Sequence, residues 1–399
     1  MFELLTFLFI GIFLGIFTGL TPGIHTNLLA IFLLSFSPFL LEFISPLSLV
    51  VLIISMGITN TFIDSIPSIY LGAPDEENSL SVLPGHKMLL QGKGHEAVSL
   101  TLIGSISAIL IFLILTPVLI FTIPKIQNFI EKMMAFFLIW AAIFLIIREK
   151  EMKIQSLIVF LLSGFLGIAS TNLNVNQPLL PLLTGLFGTS TLIYSITQNS
   201  KPPEQEIEKI KFNLKEIKTP FLTTMLISPI CSFLPGMGAS QAAIIGSEIP
   251  NKKMNQKQFL ILIGSTNTLV LATSFLILYL TNKKRSGLAQ AVSQLINLTQ
   301  KELLIIIFSI VLTSFLVFFI TIQISKFFAK NITKINYTNL SKIIILFLFL
   351  VVFIISGIKG IFVLISSTFL GLCCTYLNVR KGFLMGCLMI PTILFYLPF

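Results

Sequence analysis

The chain is poor in charge. Of its 399 residues only 11% are Asp, Glu, Lys or Arg, whereas 55% are apolar, and the mean hydropathy is +0.98. An ordinary soluble domain carries roughly twice that charged share, so a water-exposed globule of this length would lack the polar residues to cover itself. Soluble-enzyme, coiled-coil and disordered-chain readings are excluded. Tryptophan is nearly absent, one residue against 38 phenylalanines, and this fits lipid-facing helices better than one oversized soluble core. Histidine is scarce as well: three residues are too few for most metal centres. The sequence has no HExxH, GxSxG or P-loop pattern and no pair of intramembrane aspartates, so hydrolytic chemistry has nothing to act with. The expectation is a non-enzyme that needs no cofactor beyond a coupling ion. The four cysteines, Cys231, Cys373, Cys374 and Cys387, lie in apolar runs without CxxC spacing and read as small core residues.

What charge there is leans positive, 26 Lys and Arg against 16 Asp and Glu. The basic residues sit in short connectors between apolar segments, where they orient a membrane protein. No basic stripe interleaved with aromatics is present, so nucleic-acid binding is not expected. The opening stretch MFELLTFLFIGIFLGIFTGL lacks a basic leader region and reads as a retained first helix. The chain is expected in the cell membrane as a multi-pass protein in contact with lipid.

Apolar segments run Phe2–Leu20, Ile24–Phe43, Pro46–Ile63, Ala97–Thr122, Ile126–Ile147, Ile154–Leu173 and Pro178–Ile196, about seven in all. A charge-mixed stretch, Thr197–Lys218, interrupts them and reads as a connector, with an amphipathic surface helix as one form. Seven more follow: Thr219–Leu234, Met237–Ile249, Gln258–Leu280, Glu302–Ile324, Ile343–Gly357, Gly360–Leu377 and Phe383–Leu397. Several fall short of the ~20 residues a span requires, so half-helices are expected. The expected division is a first repeat over 1–200, a polar cytoplasmic connector over 201–218 and a second repeat over 219–399.

Internal similarity supports that division. Leu20-Thr21-Pro22-Gly23-Ile24-His25-Thr26-Asn27 recurs as Phe233-Leu234-Pro235-Gly236-Met237-Gly238-Ala239-Ser240, and Gly57-Ile58-Thr59-Asn60-Thr61 recurs as Gly264-Ser265-Thr266-Asn267-Thr268. An odd number of spans per half inverts the second half relative to the first. If every segment crosses, most basic connectors then fall on one side. The fold expected is an all-α polytopic membrane protein of two inverted-topology repeats, with broken or re-entrant helices at the Pro-Gly motifs.

A Pro-Gly break in an apolar segment is tolerated only where it lines protein or a water-filled cavity. The helix that follows begins with unsatisfied N–H groups and the positive end of its dipole, a start suited to an anion. Candidate substrate contacts are therefore Gly23, His25, Thr26 and Asn27 at the first break, and Gly236, Gly238, Ser240 and Gln241 at the second. Asn60, Thr61, Asp64, Asn267 and Thr268 place polar groups inside apolar helices, as ligands for substrate or coupling ion or as glue between helices. Asp64 has Leu271 as its second-half counterpart. The polar loop Asp64–Glu96 adds His86, Lys93 and His95, either as capping and structural residues or as contacts for a negatively charged substrate.

GIFLGIFTGLTPGIHTNLLA, SIYLGAPDEENSLSVLPGHKMLLQGKGHEAV, GLFGTSTLIYS and SFLPGMGASQAA together resemble the TctA family, the large membrane subunit of tripartite tricarboxylate transporters, in its divergent archaeal branch. The resemblance implies a secondary carrier for citrate or other carboxylates, driven by sodium or protons. It also implies an extracytoplasmic binding protein and a small membrane partner. The sequence departs from the bacterial pattern in having Ile24-His25-Thr26-Asn27 after the first Pro-Gly and Asp75-Glu76-Glu77 in the loop. The expected function is a permease moving a small organic anion, a di- or tricarboxylate, on a cation gradient. A lipid-phosphate flippase or exporter and a non-transporting scaffold are the alternatives, and self-association is left open. Few intramembrane carboxylates, Asp64, Glu42 and Glu248, favour sodium over a proton relay.

Overall fold

Apolar length decides which segments become spans. The computed structural model describes residues 2–21, 26–71, 82–149, 152–175, 177–197, 203–207, 213–233, 238–250, 254–334 and 337–397. Helices are α1 Phe2–Leu20, α2 Thr26–Ser35, α3 Ser37–Leu40, α4 Pro46–Ile63, α5 Val82–Leu89, α6 Gly94–Lys132, α7 Met134–Arg148, α8 Lys153–Asn172, α9 Leu179–Leu183 and α10 Ser190–Thr197. They continue as α11 Leu214–Phe233, α12 Ala239–Glu248, α13 Gln256–Thr281, α14 Gly287–Leu295, α15 Gln300–Asn331, α16 Tyr337–Tyr376 and α17 Gly386–Tyr396. There is no strand among the described residues. Among the described residues, seven helices are long and apolar enough to cross a membrane, and three shorter apolar helices accompany them. The chain is an all-α, multi-pass membrane protein.

Local chemistry sets the helix starts. Pro46 opens α4 after the Ser45 side chain accepts from the Ser48 N–H, and Asn255 with Gln258 forms a reciprocal cap on α13. One expected boundary dissolves: α6 runs unbroken through Pro117 and Pro124 to Lys132, since membrane helices tolerate internal proline. α16 is two helices meeting at a kink at Gly357, φ 67°, where the sequence placed the break. α11 starts at Leu214, inside the expected connector, and residues 203–207 of that connector form no helix.

α4 and α13 form the centre of the molecule. Burial reaches 89% along α4 and 94% along α13, against 28–44% for the other spans, whose outer faces carry residues such as Phe13, Phe308 and Phe362. α13 packs on α6 through glycines. A Cβ on Gly264 would run into the Thr101 carbonyl, and one on Gly104 into the Ile261 carbonyl, so the backbones approach as only small residues permit.

Neighbouring pairs fix the directions. α1 runs parallel to α4, with Gly11 against Leu52 and Gly15 against Met56. α11 runs parallel to α13, with hydroxyl pairs Thr224–Ser265 and Ser232–Thr273 at 2.6 Å, each separated by 41 residues. α4 and α13 run antiparallel, since Gly57 lies against Leu271 and Thr61 against Thr268. α12 turns back along α11, placing Gly246 beside Thr223 and Leu262. Ten residues long, α12 extends about 15 Å, half of a bilayer core. Its first turn therefore lies beside the middle of α13.

The far end of α12 is tied down by charge. Arg380 reaches Glu248 at 2.6 Å and Glu149 at 3.0 Å, and Lys257 pairs with Glu96 at 2.6 Å. Both clusters border the α12–α13 connector. The 203–207 strap joins the 89–94 turn through Gln205 to the Gly94 N–H, 2.8 Å, and the Glu206 N–H to the Gly92 carbonyl, 2.8 Å.

Candidate functional site

Two polar centres meet on α13, one turn apart. The first is a cavity of about 380 Å³ at the start of α12. Its polar wall is Ser232, Gly238, Ser240, Gln241, Ser274 and Arg285. Val270, Leu271, Met385 and Leu388 supply an apolar wall, and Thr171 and Leu179 bring in the first half of the chain. The first turn of α12 is capped from within: the Gly238 N–H donates to Gln241 Oε1 at 2.8 Å, while Gln241 Nε2 reaches Met385 Sδ at 3.7 Å. That leaves the dipole's positive end facing the hollow.

Arg285 supplies the charge. Its guanidinium lies over the Phe233 ring, 5.4 Å from the centroid, and the Tyr396 hydroxyl hydrogen-bonds it. Its Nε is buried with no hydrogen-bond partner among the described residues. A guanidinium is permanently charged and presents a planar fork that matches a carboxylate. Sequence reasoning missed this residue; if every apolar segment crosses, Lys283-Lys284-Arg285 falls on the side opposite to most basic connectors, and that misfit was the available signal. Arg285 directly precedes the Ser286 cap of α14.

The second centre is the α4–α13 crossing. Asn267 Nδ2 donates to Asp64 Oδ2 at 2.8 Å, and the hydroxyls of Thr61 and Thr268 lie 3.2 Å apart. Asp64 and Asn267 are each 1% exposed, so the carboxylate is shut away from water in a region where charge is costly. Here the structure unites residues that the sequence placed 203 positions apart. Leu271, the counterpart of Asp64, instead lines the cavity and packs near Gly57.

The remaining candidates divide. Gly23, His25 and Gly236 lie outside the described residues, as does the side chain of Asn27, whose backbone continues the first turn of α2. Thr26 opens α2, which packs on α14 and α4. None of the described cavity residues comes from α1 or α2. His95 Nδ1 pairs with Ser325 Oγ at 2.9 Å, next to the Tyr70 hydroxyl, which makes it a tie between α6 and α15. His86 is buried on α5, and burial pushes its imidazole below the ordinary pKa. The Asp75-Glu76-Glu77 stretch is outside the described residues. Lys381, grouped with Arg380 by sequence, is buried, its Nζ held by the Ser190 and Thr191 hydroxyls. No group of three or more His, Cys, Asp or Glu is present among the described residues to hold a transition metal.

The sequence profile of the Tripartite tricarboxylate transporter TctA family matches residues 5–386. The chain belongs to the TctA family. Membership covers nearly the whole length, both polar centres included. The family is that of tripartite tricarboxylate transporters, and the apolar helices fit its membrane component. The chain is also similar to MJ1079, an uncharacterized protein of Methanocaldococcus jannaschii, at 34% identity over 403 residues, covering 98% of this chain and 99% of that one. No solved structure matches the chain.

Proposed function

We propose that this TctA protein is a secondary carrier that moves a small organic anion, a di- or tricarboxylate, across the cell membrane on a cation gradient. The observation that carries the reading is the cavity at the α12 start with Arg285 on its wall. One carboxylate sits against the guanidinium and the positive end of the α12 dipole, with Ser240 and Gln241 beside it. Gly236, and Gly23, His25, Thr26 and Asn27 at the first break, stay candidate substrate contacts on the sequence argument alone.

Two features support an inverted duplication. The helix preceding each break runs parallel to its partner at the same 41-residue separation, in contacts such as Gly11–Leu52 and Thr224–Ser265. The two central helices then run antiparallel. Alternating access follows as one bundle moves against the other around the cavity, with the Arg380 and Lys257 ion pairs releasing as that face opens. A small membrane subunit and an extracytoplasmic binding protein deliver the substrate.

Uptake of radiolabelled citrate and succinate into proteoliposomes tests this. Wild-type protein accumulates at least one of them, and Arg285→Gln lowers uptake by on the order of tenfold or more, the scale of a lost charge-assisted hydrogen bond. Equal uptake by the variant, or binding of lipid headgroups in place of any carboxylate, contradicts the reading.

A further inference from the structure

The α4–α13 crossing contains an oxygen that no described residue satisfies. Asn267 uses Nδ2 on Asp64, yet its Oδ1 is buried with no hydrogen-bond partner among the described residues. A buried acceptor left unmet costs free energy, and in a central helix no bulk water reaches it. Protonating Asp64 does not cure this. With Nδ2 on the carboxyl the amide oxygen stays orphaned, and with the amide flipped the NH2 group is orphaned instead. A cation lying against both the Asp64 carboxylate and Asn267 Oδ1 satisfies the two together.

The donors around that point are hard oxygens. Asn60 lies one turn before Asp64. The Thr61 hydroxyl gives its proton to the Ile58 carbonyl at 2.9 Å and so accepts from Thr268 Oγ1 at 3.2 Å, which leaves one further lone pair on Thr61. One carboxylate among neutral amides and hydroxyls balances a single positive charge, and oxygen donors select a hard ion. We propose that the α4–α13 crossing is a sodium site, with Asp64 and Asn267 as its inner ligands. As a coupling site it rests on the carrier reading: sodium binds one helical turn from the cavity wall at Leu271 and offsets the charge of the anion carried with it.

Thermal unfolding of the purified protein in NaCl, KCl and choline chloride tests the site without transport. Sodium raises the wild-type Tm with concentration, as a ligand of the folded state must, and neither potassium nor choline does so to the same extent. Asp64→Asn and Asn267→Ala each remove the sodium-specific increment, whereas Asn267→Asp, which keeps an oxygen in place, retains it. Identical wild-type Tm values in the three salts overturn the site, as does an increment that survives in both Asp64→Asn and Asn267→Ala. Citrate uptake into proteoliposomes, with external sodium replaced by choline, falls at least tenfold. Sodium-specific stabilisation without uptake of any carboxylate sinks the carrier reading alone. Uptake unchanged in choline, together with no sodium effect on Tm, sinks the site alone.

Discussion

The cavity and the crossing share a helix and differ in almost everything else. The cavity is hollow, lined by a guanidinium and the start of a helix; the crossing is packed tight around a carboxylate. A carboxylate substrate is large and needs both space and positive charge, whereas a dehydrated cation needs only close oxygens. The contrast teaches that one helix can serve two ligands of opposite sign when its turns face different surroundings. Leu271 and Asp64 mark the divide, because the duplicated motif puts an apolar residue at one position and an acid at the other.

Lys381 sharpens the comparison, being a buried charge that belongs to neither centre. It sits in the connector between α16 and α17, outside the spans, and burial pushes its ammonium down to about 8 from an ordinary 10.5. Between those values the unfolded chain holds the proton and the folded chain does not, so folding stability rises with pH across the window. The rise amounts to about 3 kcal/mol at most. Thermal unfolding of wild type and Lys381→Met from pH 7 to 10.5 reads it. Wild type gains stability relative to the variant as pH rises, and parallel curves would show that Lys381 keeps its charge in the fold.

Leu271→Asp breaks the comparison from the other side, since it gives the cavity the acid that its counterpart possesses. A carboxylate on the cavity wall repels an anion and competes for Arg285, for a loss of about 2 kcal/mol or roughly thirtyfold in citrate affinity. Equilibrium binding to purified protein checks this. Unchanged affinity would place the anion away from the cavity.

The sequence made much of this legible, and its failures have physical causes. Polar residues inside apolar helices are conspicuous because they are expensive, so the Thr-Asn-Thr motifs and Asp64 stood out and prove to be neighbours across the crossing. The second Pro-Gly pair pointed to the cavity for the same reason, through Gly238, Ser240 and Gln241, whereas no described cavity residue comes from the helices flanking the first. Arg285 and Lys381 stayed hidden because a basic residue in a connector normally orients the protein, and burial cannot be read from composition. The boundary expected between Thr122 and Ile126 does not form, because α6 continues through Pro124 to Lys132, as membrane helices tolerate internal proline.

The central claim is that an anion sits between Arg285 and the first turn of α12. Electron cryomicroscopy of the protein in lipid nanodiscs, saturated with citrate and sodium chloride, tests it most directly. The account predicts carboxylate density against the Arg285 guanidinium and the N–H groups of Ala239 to Gln241. Citrate bound elsewhere, or a cavity left empty in protein that transports citrate, would contradict it.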